Sequence, residues 1–182
     1  MSQKSVCVFC ASSSLLDLEY VQAAEQLGFW LADQKYNLVY GGGNVGLMGV
    51  LAQAVHQRQG KVIGVIPELL HQKGYSYTGA DELIITPDMR DRKTVMEKRS
   101  DLFLALPGGF GTLEEILEIL TLKQLQYHSK PICLVNIKNF YDPLLLFFEK
   151  MIQQKFANEK HKNLYHLVNS LEEAQAYIQS QI

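Results

Sequence analysis

The sequence predicts an α/β fold: a doubly wound parallel sheet with helices on both faces. Three observations carry that reading. Short apolar runs alternate with longer amphipathic ones along the whole chain, the order expected when each strand is followed by a covering helix. Two runs, Leu102-Phe103-Leu104-Ala105-Leu106 and Ile132-Cys133-Leu134-Val135, are continuously apolar rather than alternating, as central parallel strands buried on both faces are. The chain has 182 residues, 47% of them hydrophobic, which suits one domain over residues 1–182 with one sizeable core and leaves little room for a second.

Taken in order, the first strand is expected at Val6–Ala11, an apolar run that contains Cys7 and Cys10. In a strand, residues three apart point to opposite faces, so this CxxC reads as two buried thiols and not as a redox or metal pair. An amphipathic helix follows over Asp17–Gln34, then a strand at Asn37–Tyr40 and a helix over Leu47–Gln59, with Gly60 placed as its C-terminal cap. Strands at Lys61–Ile66 and Glu82–Thr86 precede a helix over Asp88–Arg99. The strand Asp101–Leu106 leads to a helix over Thr112–Tyr127, whose Thr112-Leu113-Glu114-Glu115 start reads as a capping box. A strand at Pro131–Asn136, a helix over Tyr141–Lys155 and a weak strand at Leu164–Val168 come next. Ser170-Leu171-Glu172-Glu173 then opens a last helix, Ser170–Gln181, with a second capping box. Right-handed crossovers put every strand's C-terminal end on one edge of such a sheet, where ligands bind in Rossmann-like folds. The chemistry is therefore sought at strand-to-helix loops.

The charge balance, 17 Lys plus Arg against 19 Asp plus Glu, provides no global basic field of the kind that binds nucleic acid non-specifically. No run approaches the roughly 20 apolar residues needed to span a bilayer, and the opening Met-Ser-Gln-Lys runs straight into a strand. These features predict a soluble, cytoplasmic protein without nucleic-acid or membrane partners. Three cysteines, Cys7, Cys10 and Cys133, argue against a disulfide framework. The five histidines have no ligand spacing, and no metal site is expected.

Two glycine-rich loops fall between a strand and a helix. Gly41-Gly42-Gly43-Asn44-Val45-Gly46 satisfies GxGxxG and could bring amides against a phosphate, or could be a tight connection with no ligand. Pro107-Gly108-Gly109-Phe110-Gly111-Thr112 places three glycines and a hydroxyl at a helix start, where free N–H groups and the helix dipole converge on an anion. Neither has Walker A spacing. Glu115 has two readings: a cap on Thr112, or a carboxylate one turn from a phosphate cradle that serves as general base or stabilises a cationic transition state. Glu114 points about 100° away around the helix and cannot face Glu115 as a catalytic partner. Three of the four arginines, Arg90, Arg92 and Arg99, fall within ten residues. Arg92 and Arg99 share a helical face; the segment is either a solvated helix with pairs such as Lys93 and Glu97, or a guanidinium clamp for an anion.

Together Val6-Cys7-Val8-Phe9-Cys10-Ala11-Ser12-Ser13-Ser14, Tyr40-Gly41-Gly42-Gly43-Asn44-Val45-Gly46-Leu47-Met48-Gly49, Met89-x-x-Arg92-Lys93-x-x-Met96 and Pro107-Gly108-Gly109-x-Gly111-Thr112-x-x-Glu115 resemble the LONELY GUY family over roughly residues 5–180. The resemblance implies a phosphoribohydrolase that cleaves a nucleoside 5′-monophosphate, a cytokinin riboside monophosphate or AMP, to free base and ribose 5-phosphate, without a metal or organic cofactor. It implies Arg92 and Glu115 as catalytic residues. It implies substrate binding by Lys93, by Gly109, Phe110, Gly111, Thr112, Leu113 and Glu114, and by Thr121, and a homodimer whose helices pack near the active site. Arg90 stands where the family commonly has His, and Glu68 has no assigned counterpart. The label lysine decarboxylase, often attached to such sequences, finds no lysine in a Schiff-base setting here. Two other functions compete: an NAD-type dinucleotide-binding oxidoreductase built on the first glycine loop, with Glu68 as the ribose acid, and a nucleotide carrier that binds without turnover.

Overall fold

The computed structural model describes residues 3–182. Seven strands, β1 (Ser5–Phe9), β2 (Asn37–Tyr40), β3 (Val62–Pro67), β4 (Glu82–Thr86), β5 (Leu102–Ala105), β6 (Ile132–Val135) and β7 (His166–Val168), form one sheet in the order β4-β3-β2-β1-β5-β6-β7. Every neighbouring pair is parallel. The order reverses between β1 and β5, which opens a crevice at their carboxyl ends.

Alternation along the strands divides the core into two layers. Val6, Val8, Leu102 and Leu104 pack with Leu27 and Leu31 of α1 (Leu18–Asp33), Leu51 and Val55 of α2 (Gly46–Gln57) and Ile178 of α7 (Leu171–Gln181). On the other face, Cys7, Phe9 and Phe103 pack with Met96 of α4 (Met89–Lys98) and Ile116 and Ile119 of α5 (Phe110–Gln124), with Leu145 and Phe148 of α6 (Asp142–Gln153) against them. Cys7 and Cys10 fall in opposite layers, and all three cysteines are free and buried. The expected strand alternation of the CxxC thus holds.

The helix ends depart from expectation for one shared reason. Lys35, Gln59, Gln126 and Lys155 take positive φ just after α1, α2, α5 and α6, and the next amide bonds back five residues, as Gly60 N does to Val55 O at 2.9 Å. These are left-handed helix terminators made by non-glycine residues, so Gly60 follows the turn rather than making it. α5 starts at Phe110, not Thr112, with Gly109 as its uncapped N-terminal residue. Thr112 is the third helical residue, and the expected Thr112–Glu115 box does not form. The box at Ser170 holds in modified form: Ser170 Oγ accepts from Glu173 N at 3.2 Å, and Glu173 reaches Asn169 N at 2.8 Å. The short helix α3 (Glu68–Gln72) and the 3₁₀ turns Ile137–Asn139 and Glu159–Leu164 have no expected counterpart; they are too short to show a helical period.

Candidate active site

The second glycine loop ends β5 at the crevice beside β1. Its first intrahelical bond runs from Leu113 N to Gly109 O at 3.0 Å, which leaves the amides of Phe110, Gly111 and Thr112 without an intrahelical acceptor. Gly109 contributes no side-chain cap. The loop's base is fixed from below: Tyr141, fully buried, donates its hydroxyl to Leu106 O at 2.7 Å, and Asn136 Oδ1 accepts from Tyr141 N at 2.7 Å. Asn136 and Tyr141 escaped the sequence reading. An asparagine at the end of an apolar strand was the available signal.

Arg92 comes from α4, whose first turn is capped by Asp88 accepting from Arg90 N at 2.7 Å and Asp91 N at 2.9 Å. Its Nε donates to Val65 O at 3.0 Å and its Nη1 meets Glu115 Oε1 at 2.6 Å. Both residues are 7% exposed, so this is a buried ion pair linking α4, β3 and α5. Burial pushes the Glu115 carboxyl above the ordinary carboxylate range, against the opposing pull of Arg92. A carboxyl whose proton affinity is raised in this way is a better base than an ordinary exposed carboxylate.

Lys93 turns to a different pair of acids. Its ammonium contacts Glu114 and Glu118 of α5, so the Lys93–Glu97 pair of the solvated-helix alternative is not made; Glu97 instead pairs with Lys130 at 3.4 Å. Burial opposes the Lys93 charge, but the two carboxylates outweigh it and hold the ammonium above its usual pKa. Glu118 was not a sequence candidate, and nothing local marks it.

The arginine clamp does not assemble as a cluster. Arg99 follows α4 and pairs with Glu82, and Arg90 is exposed; Arg92 alone of the three is buried at the site. The first glycine loop has a supporting role. A Cβ on Gly41 would stand 2.0 Å from Arg92 Nη2, so only glycine leaves the guanidinium its place. The loop backbone is bound to the segment after α3, through Tyr77 N to Gly42 O at 2.8 Å and Asn44 N to Tyr75 O at 3.0 Å. Gly46, at φ +59, packs against the Ser12 and Ser13 backbone.

Arg92, Lys93, Glu114 and Glu115 thus meet across the α4–α5 seam, and Gly109, Phe110, Gly111 and Thr112 open the same helix, while Leu113 packs against the apolar layer of Met96 and Ile116. Phe110 is 94% exposed beside the free amides. Thr121 is not brought to the pair: its hydroxyl donates to Leu117 O at 2.8 Å, and it lines an apolar groove with Leu117, Leu120, Phe148 and Ile152. Glu68 is exposed and accepts from Gln72 at 2.9 Å. Among the described residues no cluster of His, Cys, Asp and Glu could hold a metal ion, and no helix is long and apolar enough to cross a membrane.

Residues 48–178 match a family model described as "Possible lysine decarboxylase". The chain is 48% identical over 153 residues to a "probable cytokinin riboside 5′-monophosphate phosphoribohydrolase" of Arabidopsis thaliana, covering 84% of this chain and 76% of that one. A second Arabidopsis protein, named without that qualifier, is 44% identical over 162 residues, 89% and 71% of the two chains. A rice relative of the same probable activity is 44% identical over 177 residues, 93% and 78%. Among solved structures, the molybdenum cofactor carrier protein of Chlamydomonas reinhardtii superposes with a TM-score of 0.77 over 99% of this chain and 98% of that one at 20% identity. A molybdenum cofactor binding protein of Rippkaea orientalis gives 0.74 over the same shares at 23% identity. At those identities the structural likeness speaks for the fold alone.

Proposed function

The chain belongs to the LONELY GUY family, and from that premise we propose that it hydrolyses the N-glycosidic bond of nucleoside 5′-monophosphates, releasing free base and ribose 5-phosphate. One observation carries this reading: the buried Arg92–Glu115 pair, at 2.6 Å, stands on the same helix start that offers unfilled amides at Phe110, Gly111 and Thr112. Those amides and the α5 dipole hold the 5′-phosphate, which places C1′ of the ribose at a fixed distance from Glu115. The bond from C1′ to the base nitrogen breaks with its electrons leaving on the base, and positive charge develops on the ribose. Glu115 offsets that charge and takes a proton from the water that adds to C1′. A proton reaches the departing base nitrogen, so the water's OH ends on the ribose and its H on the base. Arg92 keeps the carboxylate aimed and contributes its remaining donors to ribose or phosphate oxygens.

The substrate is a cytokinin riboside monophosphate, the compound named for the curated relatives, or AMP, which carries the same ribose 5′-monophosphate. The decarboxylase description of the family model suits the site poorly. Schiff-base chemistry needs a lysine of depressed pKa, whereas Lys93 is held up by two carboxylates. Lys123, whose pKa burial lowers, lies on the last turn of α5 at the opposite edge of the sheet.

The same reading includes a cytoplasmic homodimer. Three free buried thiols suit a reducing compartment, and exposed Leu117, Leu146, Phe147 and Phe156 near the α5–α6 groove support burial of that face against a second copy. The test of function is a panel of nucleoside 5′-monophosphates and the matching nucleosides, scored for free base by chromatography. Release from monophosphates and not from nucleosides supports the proposal. Stabilisation by AMP without released base would return the protein to a carrier.

A further inference from the structure

The first glycine loop is paired with a segment that the hydrolase reading leaves unused. Residues 74–77 run along it: Tyr77 N donates to Gly42 O at 2.8 Å, Asn44 N donates to Tyr75 O at 3.0 Å, and Gly43 and Ser76 form an antiparallel bridge. Side chains anchor this strap at both ends. His71 of α3 bonds Ser76 Oγ through its Nδ1 at 2.8 Å. At the other end His56 of α2 bonds the Tyr77 hydroxyl through Nδ1 and Asp81 Oδ2 through Nε2, both at 2.9 Å, and Asp81 Oδ2 also accepts from Val62 N of β3 at 2.8 Å. Burial opposes the Asp81 charge, but the Val62 amide and His56 outweigh it and hold the carboxyl below its usual pKa. An ionised carboxylate only accepts, so His56 Nε2 carries a proton. Its Nδ1 accepts from the Tyr77 hydroxyl when the ring is neutral and donates to the same oxygen when the ring is charged, so the contact holds in both states.

Building on the hydrolase reading, we infer that Tyr77 is a positioning residue: with His56 and Asp81 it locks the strap onto the first glycine loop and so keeps the Arg92 guanidinium seated against Glu115. That seat has two walls. One is Gly41, where an added Cβ would stand 2.0 Å from Arg92 Nη2; the other is Val65 O of β3, which accepts from Arg92 Nε at 3.0 Å. The walls also touch each other, since a Cβ on Gly42 would stand 3.0 Å from Ile66 Cβ and 3.2 Å from the Val65 carbonyl carbon. The chain of Tyr77, His56 and Asp81 reaches both walls, through Gly42 O on the loop and Val62 N on the strand. With that chain cut, the loop loses its tie to α2, and Gly41 is free to retreat from the guanidinium. Arg92 touches substrate in the hydrolase reading, whereas Tyr77 acts only through Arg92. Small movements suffice, because about 1 Å of misplacement at a positioned group lowers a rate by up to about 10²-fold.

The experiment uses the full chain with isotope-labelled arginine. Its four arginines give a sparse side-chain spectrum, in which the Arg92 Nε–H is the signal lost in Arg92→Lys. Two readouts are taken: solvent exchange of that Nε–H by NMR, which needs no turnover, and kcat and KM with AMP. Tyr77→Phe removes one hydroxyl and keeps the backbone bond to Gly42, and His56→Phe keeps a ring but loses both nitrogens. Each should speed Arg92 Nε–H exchange about tenfold and lower kcat about tenfold, with KM changed about threefold at most. The double variant should be no worse than His56→Phe alone, because both act through one contact. Ser170→Ala is the control for lost stability alone: it removes the hydroxyl that caps α7, beside the edge strand β7, and should leave both readouts at wild-type values. A wild-type value of either readout in Tyr77→Phe, or the same changes in Ser170→Ala, would overturn the inference. Should the wild-type chain release no base from any nucleoside monophosphate, the hydrolase reading falls by itself, and the exchange rates still decide whether Tyr77 holds Arg92.

Discussion

Arg92 and Glu115 meet at 2.6 Å with each residue 7% exposed, a buried ion pair between α4 and α5. That relationship separates Glu115 from the helix-capping role its motif also allowed. It also makes the pair's chemistry open to direct trial.

Glu115→Gln keeps the side-chain shape and a hydrogen-bond acceptor for Arg92 while removing the base. Hydrolysis is expected to fall by about 10²–10⁴, with circular dichroism unchanged. Arg92→Ala should lose activity as fully and should also lower stability by up to about 3–5 kcal/mol in denaturant titrations, because it leaves a carboxyl buried without its partner.

Activity should depend on pH through Glu115. Its folded pKa is raised, chiefly by burial, and a base works only when ionised. The rate should therefore drop as pH falls through the raised Glu115 pKa, which lies above the ordinary carboxylate value. A kcat profile whose acid limb lies at an ordinary carboxylate value would assign the limb to another group.

Two glycine substitutions should part company. Gly41→Ala puts a methyl 2.0 Å from Arg92 Nη2, so the guanidinium must leave Val65 and Glu115, and turnover should collapse. Gly109→Ala meets nothing within 4 Å. Melting temperatures should show Gly109→Ala near wild type and Gly41→Ala lowered.

Tyr141→Phe deletes the hydroxyl that donates to Leu106 O at 2.7 Å and leaves that buried carbonyl unpaired. Denaturant titration should show a loss of about 1–3 kcal/mol. The Kd for ribose 5-phosphate should weaken as the loop above Leu106 loosens, with Phe103 and the sheet undisturbed.

Much of the architecture was legible because it is written in local periods. The strands Asn37–Tyr40 and Glu82–Thr86 match at both ends, and the split of Cys7 and Cys10 between layers follows from strand alternation. Helix ends were less legible. Lys35, Gln59, Gln126 and Lys155 end helices in a left-handed turn where glycine would have announced it.

At the site, the second glycine loop and the arginine-rich segment stood out by composition near strand-to-helix junctions. The pairing of Arg92 with Glu115 came from the family resemblance, since the residues alone left Glu115 open as a cap. Other partners were not legible. Lys93 could pair locally with Glu97, but across the α4–α5 seam it finds Glu114 and Glu118, 21 and 25 residues away. Arg99 turns to Glu82 for the same reason. The start of α5 two residues ahead of Thr112, which removed the capping box, likewise depends on how the loop leaves β5 above Tyr141 and not on the motif itself.

The central claim is that Glu115 serves in cleavage of the bond between base and ribose 5-phosphate. Its most direct test is chromatographic quantification of products from AMP for the wild type and Glu115→Gln at matched concentration. The account predicts adenine and ribose 5-phosphate in equal amounts from the wild type and almost none from the variant. Absence of free base from the wild type with every nucleoside monophosphate tried, or undiminished release by Glu115→Gln, would contradict it.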